Sequence, residues 1–123
     1  MEKKLCMVVD DSGVVRKVSR RILESLGYEV VEAEDGKIAL AVAEQHNPTL
    51  ILLDWNMPVM SGIDFLREFR KKKDMNTVKV IFCTTENDIT KIMTAMEAGA
   101  NEYIMKPFDE EIIKTKLTQM GLL

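Results

Sequence analysis

Asp10-Asp11, Asp54, Thr84-Thr85 and Lys106 are the residues whose types could do chemistry together in this sequence. Three carboxylates held close repel one another unless a cation or shared protons relieve them. Clustered carboxylate oxygens suit a hard ion. Mg²⁺ in particular is held by one or two carboxylates, keeps several waters and leaves positions for phosphate oxygens. Lys106 would add a point charge and Thr84 a hydroxyl donor, which makes the set suitable for a phosphoryl group. Asp54 is then the candidate nucleophile, a carboxylate that becomes an acyl phosphate. Singly, each residue has a plainer use. Asp-Asp-Ser can cap a helix, Asp54 can begin a turn, Thr84 can end a strand, and Lys106 can be a solvated lysine before Pro107.

Placement decides between the two uses. Five short apolar segments alternate with longer segments of helical period. Leu5 to Val9 is a continuous apolar run, followed by a helix over Ser12 to Leu26 with Val15, Val18, Ile22 and Leu26 as its apolar seam and Gly27 as its stop. Glu29 to Ala33 is a second strand, and Asp35-Gly36 opens a helix that Asn47-Pro48 ends. Leu50 to Leu53 is the third strand, and Ile63, Leu66 and Phe69 share a face of the helix after it. Arg70 to Lys73 reads as a helix-dipole complement and solvated surface. Val78 to Cys83 is the fourth strand, and Asp88 can cap a helix carrying Ile89, Ile92, Met93 and Met96, with the two methionines read as core. Glu102 to Met105 is the fifth strand, and Asp109 can cap the last helix.

Strands joined by helical crossovers imply an α/β fold, a parallel sheet covered on both faces. The charged second and fifth strands belong at the edges. The order 2-1-3-4-5 satisfies this, as do other permutations of the central three. The candidate residues then fall at the carboxyl ends of strands, where open α/β sheets bind ligands.

The whole fits one domain over residues 1–123, with 46% hydrophobic and 30% charged residues, a composition that excludes disorder and a disulfide scaffold. A net charge of -3 gives no reason to expect nucleic acid or an acidic membrane. The N-terminus is neither a secretory signal nor a membrane span, so a cytoplasmic protein is expected. Cys6 and Cys83 read as buried free thiols. Arg16, Lys17, Arg20 and Arg21 are expected on the exposed side of the first helix, where some could meet a partner.

The ordered set Val8-Val9-Asp10-Asp11, Gly27-Tyr28, Asp35-Gly36, Leu53-Asp54-Trp55-Asn56-Met57-Pro58, Ser61-Gly62, Thr84, Ala98-Gly99-Ala100 and Lys106-Pro107-Phe108 resembles the receiver domains of two-component response regulators over essentially the whole chain. The resemblance implies the flavodoxin-like order 2-1-3-4-5 with five helices, an order the residues alone left open. It implies Asp54 as phosphoacceptor, Asp10 and Asp11 as the acidic pair for Mg²⁺, and Asn56 as the donor of a backbone carbonyl to the metal. Thr84 matches the switch hydroxyl, Lys106 the phosphoryl-contacting lysine and Tyr103 the aromatic switch, and the Lys106-Pro107 bond is expected to be cis. Trp55, Asn56, Thr84, Glu86 and Tyr103 are similar to the chemotaxis branch, in which Asn56 and Glu86 modulate self-dephosphorylation; Thr85 stands where that branch commonly has alanine.

By the same resemblance the chain is a stand-alone, monomeric phosphoacceptor and not an enzyme beyond its own phosphotransfer and dephosphorylation. A histidine kinase or phosphotransfer protein would be the donor, and a downstream protein such as the flagellar motor switch the target. No module is expected after Leu123. A phosphorelay shuttle or phosphate sink, and a receiver-like interaction module that takes no phosphate, are the alternatives. A flavin protein is disfavoured because two aspartates would repel its phosphate, and an aspartate-based phosphatase because Trp55-Asn56 stands where a second carboxylate is needed.

Overall fold

Alternation within each strand divides the core into two layers. In the computed structural model, which describes residues 4–74, 76–85 and 89–123, the elements are β1 (Leu5–Val9), α1 (Gly13–Ser25), β2 (Glu29–Ala33), α2 (Gly36–His46), β3 (Leu50–Asp54), α3 (Gly62–Arg70), β4 (Lys79–Thr84), α4 (Ile89–Ala98), β5 (Glu102–Met105) and α5 (Glu110–Gln119). The five strands are parallel in the order β2-β1-β3-β4-β5. Met7, Val9, Ile51, Leu53, Val80 and Phe82 point to one face, against Ala39 and Ala43 of α2, Phe65, Leu66 and Phe69 of α3, and Ala95 of α4. Cys6, Val8, Leu52, Ile81, Cys83 and Ile104 point to the other, against Leu23 of α1 and Ile113 and Leu117 of α5. Fully burying one such large side chain contributes roughly 1.5–3 kcal/mol.

Ser12 and Asp109 cap their helices as the sequence suggests, and Asp35 and Ser61 prove to be caps as well. Ser12, Asp35, Ser61 and Asp109 each accept a hydrogen bond from the backbone N–H three residues on. The expected cap Asp88 lies outside the described residues. Both cysteines are free and buried, and burial pushes the Cys83 thiol up to about 12 and raises that of Cys6 as well, so neither is a reactive thiolate.

Two helices present a different face from the one expected. On α1, Val18 is 45% exposed, while Ser19 and Leu23 are buried. On α4, Met93 is 57% and Met96 40% exposed, so these methionines are surface residues and not core; Ala95 is the buried residue. The cause is common to both. A small side chain lets the helix backbone approach the sheet closely, and the packed stripe follows that residue, not the bulkiest apolar ones. On α3 the buried set is Phe65, Leu66 and Phe69, with Ile63 half-buried.

The basic residues also divide. Lys17 and Arg21 are exposed, but Arg16 and Arg20 are half-buried and turned onto Glu32 of β2. Arg70 is no solvated end charge. It donates to the Gly99 carbonyl at 2.9 Å, the Asn101 Oδ1 at 3.0 Å and the Asp74 carbonyl at 2.8 Å, tying α3 to the loop before β5. Among the described residues no helix is long and apolar enough to cross a membrane.

Candidate functional site

β1 and β3 are adjacent, so their carboxyl ends deliver Asp10 and Asp54 side by side. Asp10, 3% exposed, is held from several directions. Its N–H donates to the Ala33 carbonyl at 3.1 Å, its Oδ1 accepts from the Ser12 N–H at 2.9 Å, and its own carbonyl accepts from Arg16 at 2.6 Å. Asp54 is 8% exposed, and its Oδ1 accepts from the Trp55 N–H at 2.9 Å. Asp11 is exposed, at the rim.

Lys106 closes the site from β5. Its backbone N–H donates to the Thr84 carbonyl at 2.8 Å, extending the pairing of β4 and β5, and the bond that follows, Lys106-Pro107, is cis as expected. Its Nζ lies 2.6 Å from Asp10 Oδ2 and 3.1 Å from Asp54 Oδ1. One ammonium thus bridges two largely buried carboxylates. Burial pushes the Asp54 carboxyl up, the Asp10 charge pushes it further, and Lys106 only partly offsets both. Burial alone would lower the Lys106 ammonium, but the two carboxylates more than reverse this and raise it.

The donor set fits the cation that the sequence calls for. One carboxylate oxygen from each of Asp10, Asp11 and Asp54 lies within 4.8 Å of the others. Opposite ligands of a Mg²⁺ ion sit roughly 4.2 Å apart, so small side-chain rotations suffice to converge them. Asn56, two residues past Asp54, is exposed, while the intervening Trp55 carbonyl is already taken by the Gly62 N–H at 2.9 Å.

Thr84 ends β4 and is 8% exposed. Tyr103, half-buried, pairs with Phe82 and packs on the face covered by α2, α3 and α4. Period-two alternation puts Thr84 on the same face as Phe82, and hence as Tyr103, one step further along the sheet. The Trp55 ring packs on Phe82 with centroids 5.1 Å apart, and Lys91 of α4 lies over it at 5.7 Å. Glu86 lies outside the described residues.

Two contacts at the site escaped the sequence reading. Gly62 packs so tightly on the end of β3 that a Cβ there would lie 2.0 Å from the Asp54 carbonyl oxygen. The Ser61-Gly62 pair was visible as a motif, but no residue type signals a contact with backbone. Arg16 reaches the Asp10 carbonyl across six residues of turn and helix, a span that no local spacing rule marks.

Comparison with known proteins adds three kinds of similarity. Residues 6–118 match the family model described as the response regulator receiver domain. The chain is 40% identical over 113 residues to the chemotaxis protein CheY1 of Helicobacter pylori, covering 90% of this chain and 91% of that one. It is 35% identical over 115 residues to the chemotaxis protein CheY of Pseudomonas aeruginosa, covering 93% of each. Among solved structures, the Vibrio cholerae chemotaxis protein CheY4 superposes with a TM-score of 0.89 at 32% identity, over 96% of this chain and 98% of that one.

Proposed function

This chain belongs to the response regulator receiver domain family, and on that premise we propose that it accepts a phosphoryl group on Asp54 from a phosphohistidine and signals by binding another protein in chemotaxis. The observation that carries the reading is Lys106 Nζ, bonded at once to Asp10 and Asp54 beside a third carboxylate. Such a site holds concentrated negative charge ready for a metal and a phosphoryl group. The relatives named as chemotaxis proteins support the pathway.

Asp54 Oδ1 carries the Trp55 and Lys106 donors, which leaves Oδ2 to bond phosphorus. As that P–O bond forms, the P–N bond to the donor histidine breaks and its electron pair returns to the imidazole. Mg²⁺ held by Asp10, Asp11, Asp54 and the Asn56 carbonyl would supply charge neutralisation for the transferring oxygens. Lys106 can swing its ammonium from the carboxylates to a phosphoryl oxygen without leaving the site. Water later cleaves the acyl phosphate, with Asn56 and Glu86 tuning access. The protein thus catalyses only its own phosphorylation and dephosphorylation.

The signal passes through Thr84 and Tyr103 on their shared face. A phosphoryl oxygen draws the Thr84 hydroxyl inward, Tyr103 follows, and the α4–β5–α5 surface shifts between two arrangements. That surface carries exposed Ile89, Met93 and Met96, apolar groups available to a partner. Between α1 and the loop joining β5 to α5, Val14, Val18, Lys106, Pro107 and Phe108 line a groove of about 330 Å³, suited to a helix of the donor protein.

Trp55 is the only tryptophan and is bonded through its N–H to Asp54, so its fluorescence reports the site. Millimolar Mg²⁺ is expected to change its emission, and a small phosphodonor to change it again in a Mg²⁺-dependent way. No response to either would refute the reading. Binding of the phosphorylated protein to a motor-switch component favours the motor role. Transfer of its phosphate to a histidine phosphotransfer domain would instead make it a relay shuttle.

A further inference from the structure

Glu32 sits on the edge strand β2, where a charged residue ordinarily faces water, yet it is half-buried between two guanidinium groups. Arg16 Nε donates to Glu32 Oε1 at 3.1 Å, and Arg20 donates to the other oxygen. Arg20 also donates to the Val30 carbonyl at 2.8 Å, a second bond of its own to β2. The free end of the Arg16 fork reaches the Asp10 carbonyl at 2.6 Å. That carbonyl belongs to the peptide joining Asp10 to Asp11, so its direction sets how Asp11 leaves the strand. The Asp10 N–H and Oδ1 are held by Ala33 and Ser12, which leaves the carbonyl as the group through which the Asp10-Asp11 peptide can be oriented.

We infer that Arg16, braced by Glu32, is a positioning residue that presets the Asp10-Asp11 pair for Mg²⁺. The inference rests on the reading of Asp10, Asp11 and Asp54 as a Mg²⁺ site. It also accounts for an otherwise unfavourable placement, because a guanidinium beside a cation site opposes the cation. The charge and positioning roles predict opposite signs. If Arg16 were only a nearby charge, its removal would tighten Mg²⁺ binding. If it orients the peptide, its removal loosens binding, as losing a group that orients metal ligands typically does by about 10–100-fold.

The test is calorimetric titration of the intact protein with Mg²⁺, beside thermal melts in EDTA. Arg16→Met is expected to raise the Mg²⁺ dissociation constant about 10-fold or more. Arg16→Lys should raise it too, since an ammonium keeps the charge but cannot bond Glu32 and the Asp10 carbonyl with one planar fork. Arg20→Met removes the same charge from the same Glu32 without touching Asp10, and should leave the affinity unchanged or improved. Arg16 variants that melt earlier but bind Mg²⁺ within about twofold of wild type, or more tightly, overturn the inference and leave Arg16 a stabilising residue only. If Arg16→Met does not fold, Arg16→Lys decides. A wild-type protein that shows no Mg²⁺ binding at all overturns the metal reading along with it, which separates the two failures.

Discussion

Replacing Asp54 with asparagine is expected to cut hydroxylamine-labile phosphate incorporation below about 1% of wild type, because a carboxamide cannot become an acyl phosphate. The same substitution should raise the melting temperature in EDTA at neutral pH. Asp54 is buried beside Asp10 with only Lys106 between them, and its carboxyl is pushed above the ordinary value of 3.8. Asparagine keeps the shape, removes one charge and leaves Lys106 to Asp10. The sign follows from linkage. Where the folded protein holds the Asp54 proton and the unfolded chain has lost it, stability from this group falls as pH rises. The penalty is absent below 3.8, grows through the window up to the raised folded value, and is complete above it. The melting difference between Asp54→Asn and wild type should therefore be positive at neutral pH and shrink toward about pH 4, measured by calorimetry across that range. A difference that is flat, or negative at neutral pH, would mean that the carboxylate cluster stores no strain. Undiminished phosphate in Asp54→Asn would place the acceptor elsewhere.

A central strand of a parallel sheet is buried on both faces, so it appears as a continuous apolar run, and a carboxylate at its end stands out. Asp10 and Asp54 were visible for that reason, Lys106 because it directly follows the fifth strand, and the structure joins all three. The caps Ser12 and Asp109 were legible because they are of residue types that bond the first turn of a helix. What stayed hidden was carried by small residues or by backbone. Ser19 and Ala95 set how α1 and α4 lie on the sheet, yet a search for large apolar side chains passes over them and selects Val18 and Met93. Arg70 looked like part of a basic run because its partners, the Gly99 carbonyl and Asn101, are about thirty residues away.

Those hidden contacts bear on the chemistry at Gly62, where Gly62→Ala is the second substitution expected to have a large effect. Gly62 opens α3 directly after its cap Ser61, and its N–H is bonded to the Trp55 carbonyl. An added Cβ would meet the Asp54 carbonyl oxygen at 2.0 Å, and the Asp54 carbonyl carbon and Phe82 Cε1 each at 3.0 Å. The first of these is the backbone of Asp54 and cannot rotate away, so α3 or the end of β3 must move by about 1.5 Å to restore ordinary contact. Overpacking of this kind costs roughly 1–3 kcal/mol, and a displacement of about 1 Å at a reacting group can cost 10²-fold in rate. Gly62→Ala should therefore melt several degrees lower and, at temperatures where it is fully folded, take phosphate from a small phosphodonor about 10²-fold more slowly than wild type. Ser61→Ala provides the contrast. It loses the cap to the Asp64 N–H and should cost about 1 kcal/mol, but it leaves the Asp54 backbone in place and the phosphorylation rate within about twofold. If Gly62→Ala and Ser61→Ala lose stability alike and both phosphorylate normally, the start of α3 contributes only to the fold. If only Gly62→Ala loses its rate, the first turn of α3 serves as the backstop that fixes the nucleophile.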